Sequence, residues 1–165
     1  MQFGGAAGTL EIFGDKARAV RKALAARLGL SDASQWHSQR DRLADFAGVL
    51  SLITGSLGKL GKDIALMAQA GDEIELTGGG GSSAMPHKQN PVAAETLVTL
   101  ARFNATQLSG MHQALVHEQE RSGSAWTLEW LILPQMAIAA AGALRLANTL
   151  VEQIETIGTK PGNRA

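Results

Sequence analysis

The stretch LADFAGVLSLITGSLGKLGKDIALM, residues 43–67, decides the fold. Within it Leu43, Phe46, Leu50, Ile53, Leu57, Leu60, Ile64 and Met67 follow one another at alternating steps of three and four. Residues so spaced share one face of an α-helix. A stripe sustained for about four heptads predicts a long helix lying nearly parallel to its partners. Gly55, Gly58 and Gly61 repeat every three residues on another face, where small residues let a neighbouring backbone come close. A helix with two packing faces belongs inside a bundle.

Upstream, Gln2 to Thr9 is a small-residue stretch with Gly4, Gly5 and Gly8. Leu10, Phe13, Ala17, Val20, Leu24 and Leu28 then recur at steps of three and four, predicting a helix that Gly29 ends as a left-handed cap. The loop Leu30 to His37 carries the pair Trp36-His37. Downstream, residues 71–90 break the helical period. Asp72 to Thr77 reads as a short extended stretch, and 78–83 is GGGGSS. Pro91 suits the first turn of a new helix, where its missing N–H costs nothing, with Asn90 at the N-cap position before it. Val92 to about Val116 is expected to be helical, with Leu97, Leu100, Leu108, Met111 and Leu115 apolar. His117 to Ser124 is a polar connection. A last long helix is expected from about Thr127 to Thr156, with a kink or late start at Pro134. No repeat or internal boundary interrupts the chain. The expectation is one all-α domain, residues 1–165: a long-helix bundle with a glycine-rich loop between helices.

Composition agrees. The chain has 165 residues, 45% of them apolar, enough for a folded core. It holds 27 Ala and 21 Leu against seven aromatics, a helix-forming mixture poor in strand formers. Fifteen basic and 15 acidic residues balance, which gives no electrostatic footprint for nucleic acid or an anionic membrane. Absent cysteine excludes disulfides, thiolate metal sites and a cysteine nucleophile, and fits a reducing cytoplasm. The opening has no basic region before an apolar run, and the most apolar window, Leu131 to Leu144, is short for a membrane span and contains Pro134 and Gln135.

The loop GGGGSSAMPHKQNP, residues 78–91, asks for a function. Its glycines bare their N–H groups, Ser82 and Ser83 carry hydroxyls, Lys88 is a cation and Asn90 can hydrogen-bond an anion. Beside a helix N-terminus these groups suit a carboxylate, and a loop carrying them could close over one and exclude water. A flexible linker explains GGGGS but not AMPHKQNP. A nucleotide phosphate loop needs Ser or Thr after the lysine, and Gln89 stands there. A loop without chemistry stays open on spacing alone.

Gly81-Ser82-Ser83-Ala84-Met85-Pro86-His87-Lys88-Gln89-Asn90-Pro91 resembles the GSSxMPxKxNP signature of the fumarase/aspartase superfamily, with every fixed position present. Three further segments resemble its members: QFGGAAGTL at 2–10, WHSQRDRLADFAGVLSLITGSLGKLGKDI at 36–64 and EQERSGSAWTLEWLILP at 118–134. The last two favour the lactone-forming cycloisomerase branch, acting on a carboxylated muconate, over the purine-pathway lyases.

The resemblance implies the rest. Members make or break a C–N or C–O bond next to a carboxylate-activated carbon, which requires stabilising a dianionic aci-carboxylate. It implies Ser82 as the proton-transferring group with Ser83 adjacent, Lys88 and Asn90 at the substrate, and Met85 anchoring the loop there by packing. Arg40 is a candidate clamp for a substrate carboxylate or else a helix-start ion pair with Asp41 or Glu129. His37 is a candidate substrate ligand or a cap. His112 and His117, five apart, are not spaced as a helical metal pair and are expected to be structural or solvated. Arg121 and Ser122 could complete a neighbour's site; an ion pair within the loop is the plainer role. No metal or organic cofactor is implied. The implied partners are a small polycarboxylate substrate and further copies in a homo-oligomer, a tetramer in this family, with each site drawn from three subunits. Neither nucleic acid nor membrane is implied. The family's N-terminal and C-terminal domains have no counterpart here, so low turnover is expected of this piece alone. Gln119 stands where the cycloisomerase pattern usually has histidine.

Overall fold

A computed structural model describes residues 1–71, 73–77, 80–81, 89–119 and 122–158, with only the backbone described at 80–81 and 89–90. It contains helices α1 (Ala17–Arg27), α2 (Asp41–Ala70), α3 (Val92–Gln113) and α4 (Gly123–Glu152), and short strands β1 (Ile74–Leu76), β2 (Gly80–Gly81), β3 (Gln89–Asn90) and β4 (Ile154–Ile157). The long-helix bundle is as expected. Strand β1 falls in the extended stretch expected at residues 72–77; the other three short strands are additions.

Helix α2 ends where Gly71 turns left-handed at φ 88° and its N–H bonds the Met67 carbonyl. Its burial corrects the apolar stripe. Leu50 and Ile64 are buried, Leu43, Ile53, Leu57, Leu60 and Met67 are half-buried, and Phe46 is exposed. The deepest line is made of small residues: Ala44, Ala47, Thr54, Gly58, Gly61 and Ala65. The physical reason is close approach. A Cβ at Gly58 would collide with the Ala101 methyl, and one at Gly61 with the Ala94 carbonyl. Gly55 lies apart from this contact, with nothing within 4 Å of an added Cβ. So α3 returns antiparallel against the small-residue face, and the larger side chains flank it.

Two apolar clusters fill the bundle. One end holds Ala47, Leu50, Met111, Ile132, Met136 and Ala140. The other is built on Ile64, Leu97, Ala143 and Leu150, with Ile74 and Leu76 of β1. Between them sit buried Thr54 and Asn104. The Thr54 hydroxyl donates to the Leu50 carbonyl at 3.1 Å, and Asn104 Nδ2 donates to the Met136 carbonyl at 3.2 Å, tying α3 to α4.

Four boundaries differ from expectation. The helix foreseen across Leu10–Leu28 is a 3-10 turn, Glu11–Lys16, followed by α1, because Leu10 sits at φ 54° and Gly14 at φ 46°, ψ −132°. Gly29 ends α1 at φ 63°, as predicted. Pro91 precedes the first helical residue of α3 and Asn90 lies in β3, so Asn90 is not the N-cap. Helix α4 starts at Gly123, earlier than foreseen, and runs through Pro134. It stops at Glu152 because β4 pairs antiparallel with β1, Ile74 opposite Ile157. Both α2 and α4 are 30 residues long and apolar enough, by length and composition alone, to cross a membrane, so the 131–144 window understated the apolar length of the last helix.

Candidate functional site

The two ends of the bundle carry different halves of the predicted site. At the first end the glycine-rich opening wraps the Gln35–His37 turn. A Cβ at Gly4 would collide with the Gln35 side chain, and Gly8, at φ 84°, lies against Gln35 and His37. The Gln2 side-chain oxygen accepts from Gln35 Nε2 at 2.8 Å and from the Trp36 N–H at 3.3 Å. The Trp36 ring carries the Arg40 and Arg42 guanidinium groups at 5.6 and 5.5 Å.

His37 borders two adjoining cavities. One, of about 540 Å³, is lined by Ala6, Ala7, Thr9, Glu11, His37, Glu118 and Gln119. Its neighbour, about 350 Å³, adds Gln35, Trp36 and Ser38. Three buried polar atoms of one run, Gln35 Oε1, Trp36 Nε1 and His37 Nε2, have no hydrogen-bond partner. Buried polar groups are normally satisfied, so an unsatisfied run beside a cavity marks a place for a polar ligand. Gln119 borders both cavities and is held at φ 46°, a region costly for a residue with a side chain. The Ser122 hydroxyl donates to the Glu118 carboxylate and holds its pKa below the ordinary 4.5.

Arg40 makes a buried bidentate pair. Its Nε donates to Glu129 Oε1 at 2.7 Å and its Nη2 to Oε2 at 2.6 Å, and Nη1 reaches the His37 carbonyl at 3.5 Å. Of the two alternatives left open for Arg40, the ion pair with Glu129 forms. It uses Nε and Nη2, while Nη1 turns to the His37 carbonyl, so Arg40 stands behind His37 and lines neither cavity. His117 is structural and buried, not solvated: its Nδ1 accepts the Ser122 N–H at 3.1 Å, and its Nε2 lies 3.6 Å from Glu129 Oε1. Exposed His112 borders a separate groove with Asp41 and Asp45. No group of three or more metal-ligating side chains occurs among the described residues.

Ser82, Ser83, Met85 and Lys88 lie outside the described residues, as does Arg121, and the Asn90 side chain is not described. The ends of the signature are placed, however. Gly80 pairs with Asn90 and Gly81 with Gln89, immediately before α3, whose Ala94 lies level with Gly61. From Asp41 to that level is twenty residues of α2, about 30 Å at 1.5 Å per residue, and Asn90 is farther still. His37 and Arg40 are thus at one end of the bundle and the described ends of the signature, Gly81 and Gln89–Asn90, at the other.

The sequence reading missed Thr9, Glu11 and Glu118 as cavity-lining residues. They sit in irregular segments where no period announces a face. Gln119 had been noted only as a departure from a pattern.

Comparison with known proteins places this geometry. The sequence profile of a family described as lyase matches residues 1–110. A 3-carboxy-cis,cis-muconate cycloisomerase of Pseudomonas aeruginosa is 47% identical over 160 residues, covering 94% of this chain and 35% of that protein. Two crystal structures are similar. A 3-carboxy-cis,cis-muconate lactonizing enzyme from Pseudomonas putida matches with TM-score 0.84 and 46% identity, over 94% of this chain and 36% of its own. A beta-carboxy-cis,cis-muconate cycloisomerase from Acinetobacter calcoaceticus matches with TM-score 0.80 and 36% identity, over 94% and 34%. The chain therefore spans about a third of the length of the relatives it matches.

Proposed function

Because the chain belongs to the lyase family of the fumarase/aspartase superfamily, we propose that it forms the central helical-bundle domain of a cofactor-independent cycloisomerase. The reaction is closure of 3-carboxy-cis,cis-muconate to 4-carboxymuconolactone in aromatic catabolism, in the cytoplasm. In the closing direction a substrate carboxylate oxygen adds across a double bond. The electron pair moves onto the neighbouring carboxylate as an aci-carboxylate, and the Ser82 hydroxyl delivers a proton to the α-carbon. Lys88, Asn90 and Ser83 stabilise the added charge, since fixed donors aimed at developing charge lower the barrier most. Met85 packs against the substrate. His37, and Arg40 behind it, serve its remaining carboxylates.

One observation carries the reading: the separation of the two half-sites. Seven residues join Gly81 to Gln89, and out and back they reach at most about 14 Å at 3.3–3.6 Å per residue. That is less than half of the roughly 30 Å between the ends. On this reading a signature in one copy meets His37 and Arg40 of another, which supports a homo-oligomer, and the family resemblance makes it a tetramer. Helix α4 carries the surface for it. Trp130, Leu144 and Val151 are exposed at multiples of seven, with Leu131 and Ile138 beside them, a seam that fits a partner helix. That seam is also why the two long apolar helices are read as bundle helices and not as membrane spans.

The test is an ultraviolet assay of the protein with the remainder of the family's length, offered 3-carboxymuconate, adenylosuccinate and argininosuccinate. Lactone formation from the first alone is expected, with Ser82→Ala lowering kcat about a hundred-fold to ten-thousand-fold, the span of general acid–base catalysis. Elimination from adenylosuccinate would move the assignment to a β-elimination lyase. A Ser82→Ala variant as active as the parent would remove Ser82 from its role, and turnover of none of the three compounds would point to a non-catalytic oligomerisation module.

A further inference from the structure

We infer that Glu129 is a positioning residue: its buried carboxylate holds the Arg40 guanidinium, and through it the His37 backbone, in the orientation that presents the His37 ring to a polycarboxylate. The inference rests on the reading above and adds to it a residue that touches no substrate.

Glu129 is 3% exposed on α4, and among the described residues it joins three elements. Arg40, just before α2, gives it two hydrogen bonds of 2.7 and 2.6 Å. His117, on the connection into α4, brings Nε2 to 3.6 Å. Because His117 Nδ1 accepts the Ser122 N–H, the proton of the neutral ring is on Nε2, facing the carboxylate. Glu129 therefore fixes a guanidinium plane, while the Ser122 N–H sets the imidazole tautomer beside it.

The consequence reaches His37 through Arg40. The same guanidinium that is locked by Glu129 donates from Nη1 to the His37 carbonyl and stacks over Trp36. A bidentate pair removes rotation about the last side-chain bonds. With the guanidinium fixed, its Nη1 holds the His37 carbonyl in place at the cavity, and a ligand does not have to order that segment on binding. A neutral amide at position 129 keeps the shape but cannot accept at both positions with full charge, so the fork is released while the helix stays intact.

The test uses this 165-residue chain, labelled with ¹⁵N, as Glu129 parent, Glu129→Gln and Glu129→Asp, with propane-1,2,3-tricarboxylate as the probe. In the parent a slowly exchanging Arg40 Nε–H and a His117 ring protonated at Nε2 are expected. Glu129→Gln is expected to abolish the Arg40 protection and weaken tricarboxylate binding, followed on the His37 ring, at least tenfold with helix content unchanged. Glu129→Asp is expected to restore part of both. Retained Arg40 protection in Glu129→Gln, or affinity within twofold of the parent, overturns the inference. If Glu129→Gln does not fold, the parent decides: a His117 proton on Nδ1, or an unprotected Arg40 Nε–H, overturns it. If no variant binds tricarboxylate, the polycarboxylate reading of this end fails, and the positioning role is judged on the Arg40 and His117 signals alone.

Discussion

The two ends of this bundle are held together by different physics. At the His37 end, a short apolar cluster is flanked by a buried ion pair, a buried imidazole and a run of unsatisfied polar atoms. At the signature end, α2 and α3 touch through glycine and alanine, β1 pairs with β4, and the larger cluster of isoleucine and leucine closes over them. The first end is a polar socket with unsatisfied buried atoms. The second is a close-packed platform on which the ends of the signature are pinned. The difference teaches that His37 and the described ends of the signature lie at opposite ends of the bundle, which is why the proposed function has one copy supply each half to a different site.

The largest expected effect is at the polar end. Glu129→Ala leaves the Arg40 cation buried without its counterion, and removing one partner of such a pair costs about 3–5 kcal/mol. Urea unfolding measures it, and a loss below 1 kcal/mol would mean the socket is wetter than the buried pair indicates. At the packed end Gly61→Val drives a branched side chain into the Ala94 carbonyl, an overpacking change of about 1–3 kcal/mol. If it proves the costlier of the two, the contrast between the ends is reversed. Gly55→Ala sharpens the comparison from outside the α2–α3 contact. With open space around the new methyl it should stabilise by about 0.5–1 kcal/mol, and a loss of stability would show that another copy's backbone covers that face. The smallest effect concerns Asp32. Its hydrogen bond from Arg21 holds its pKa below the ordinary 3.8. The folded value is depressed, so this stabilisation is present above pH 3.8 and is lost as pH falls through the lowered value. Arg21→Ala should therefore lower Tm slightly at pH 7, and the difference from the parent should close below pH 3.8.

Much of the fold was legible because it rests on periodicity. Steps of three and four located α2 and α3, and Gly29 marked a helix end. The glycine face of α2 was legible as a place of close approach, and Gly58 and Gly61 fill that role; the exposure of Phe46 and Gly55 was not. Counting leucines finds where apolar area is, whereas burial here follows distance, and only Gly58, Gly61 and the alanines allow α3 to come near. The break at Gly14 and the strand after Glu152 escaped for a related reason. Helix period continues across residues 10–28 and to Thr156, and a backbone torsion or a distant pairing partner leaves no mark on it. Of the site, the composition of the signature and the pair Trp36-His37 could be read directly. The gap between them could not be read until α2 had a direction and a length.

The central claim is that the two half-sites meet only between copies. Mix a Ser82→Ala variant with a His37→Ala variant of the protein carrying the family's remaining length, each poorly active alone, let subunits exchange, and follow lactone formation from 3-carboxymuconate. The account predicts that the mixture regains activity that neither parent has, because some sites then take an intact signature from one copy and an intact His37 from another. A mixture no more active than its components, with subunit exchange verified, would contradict it.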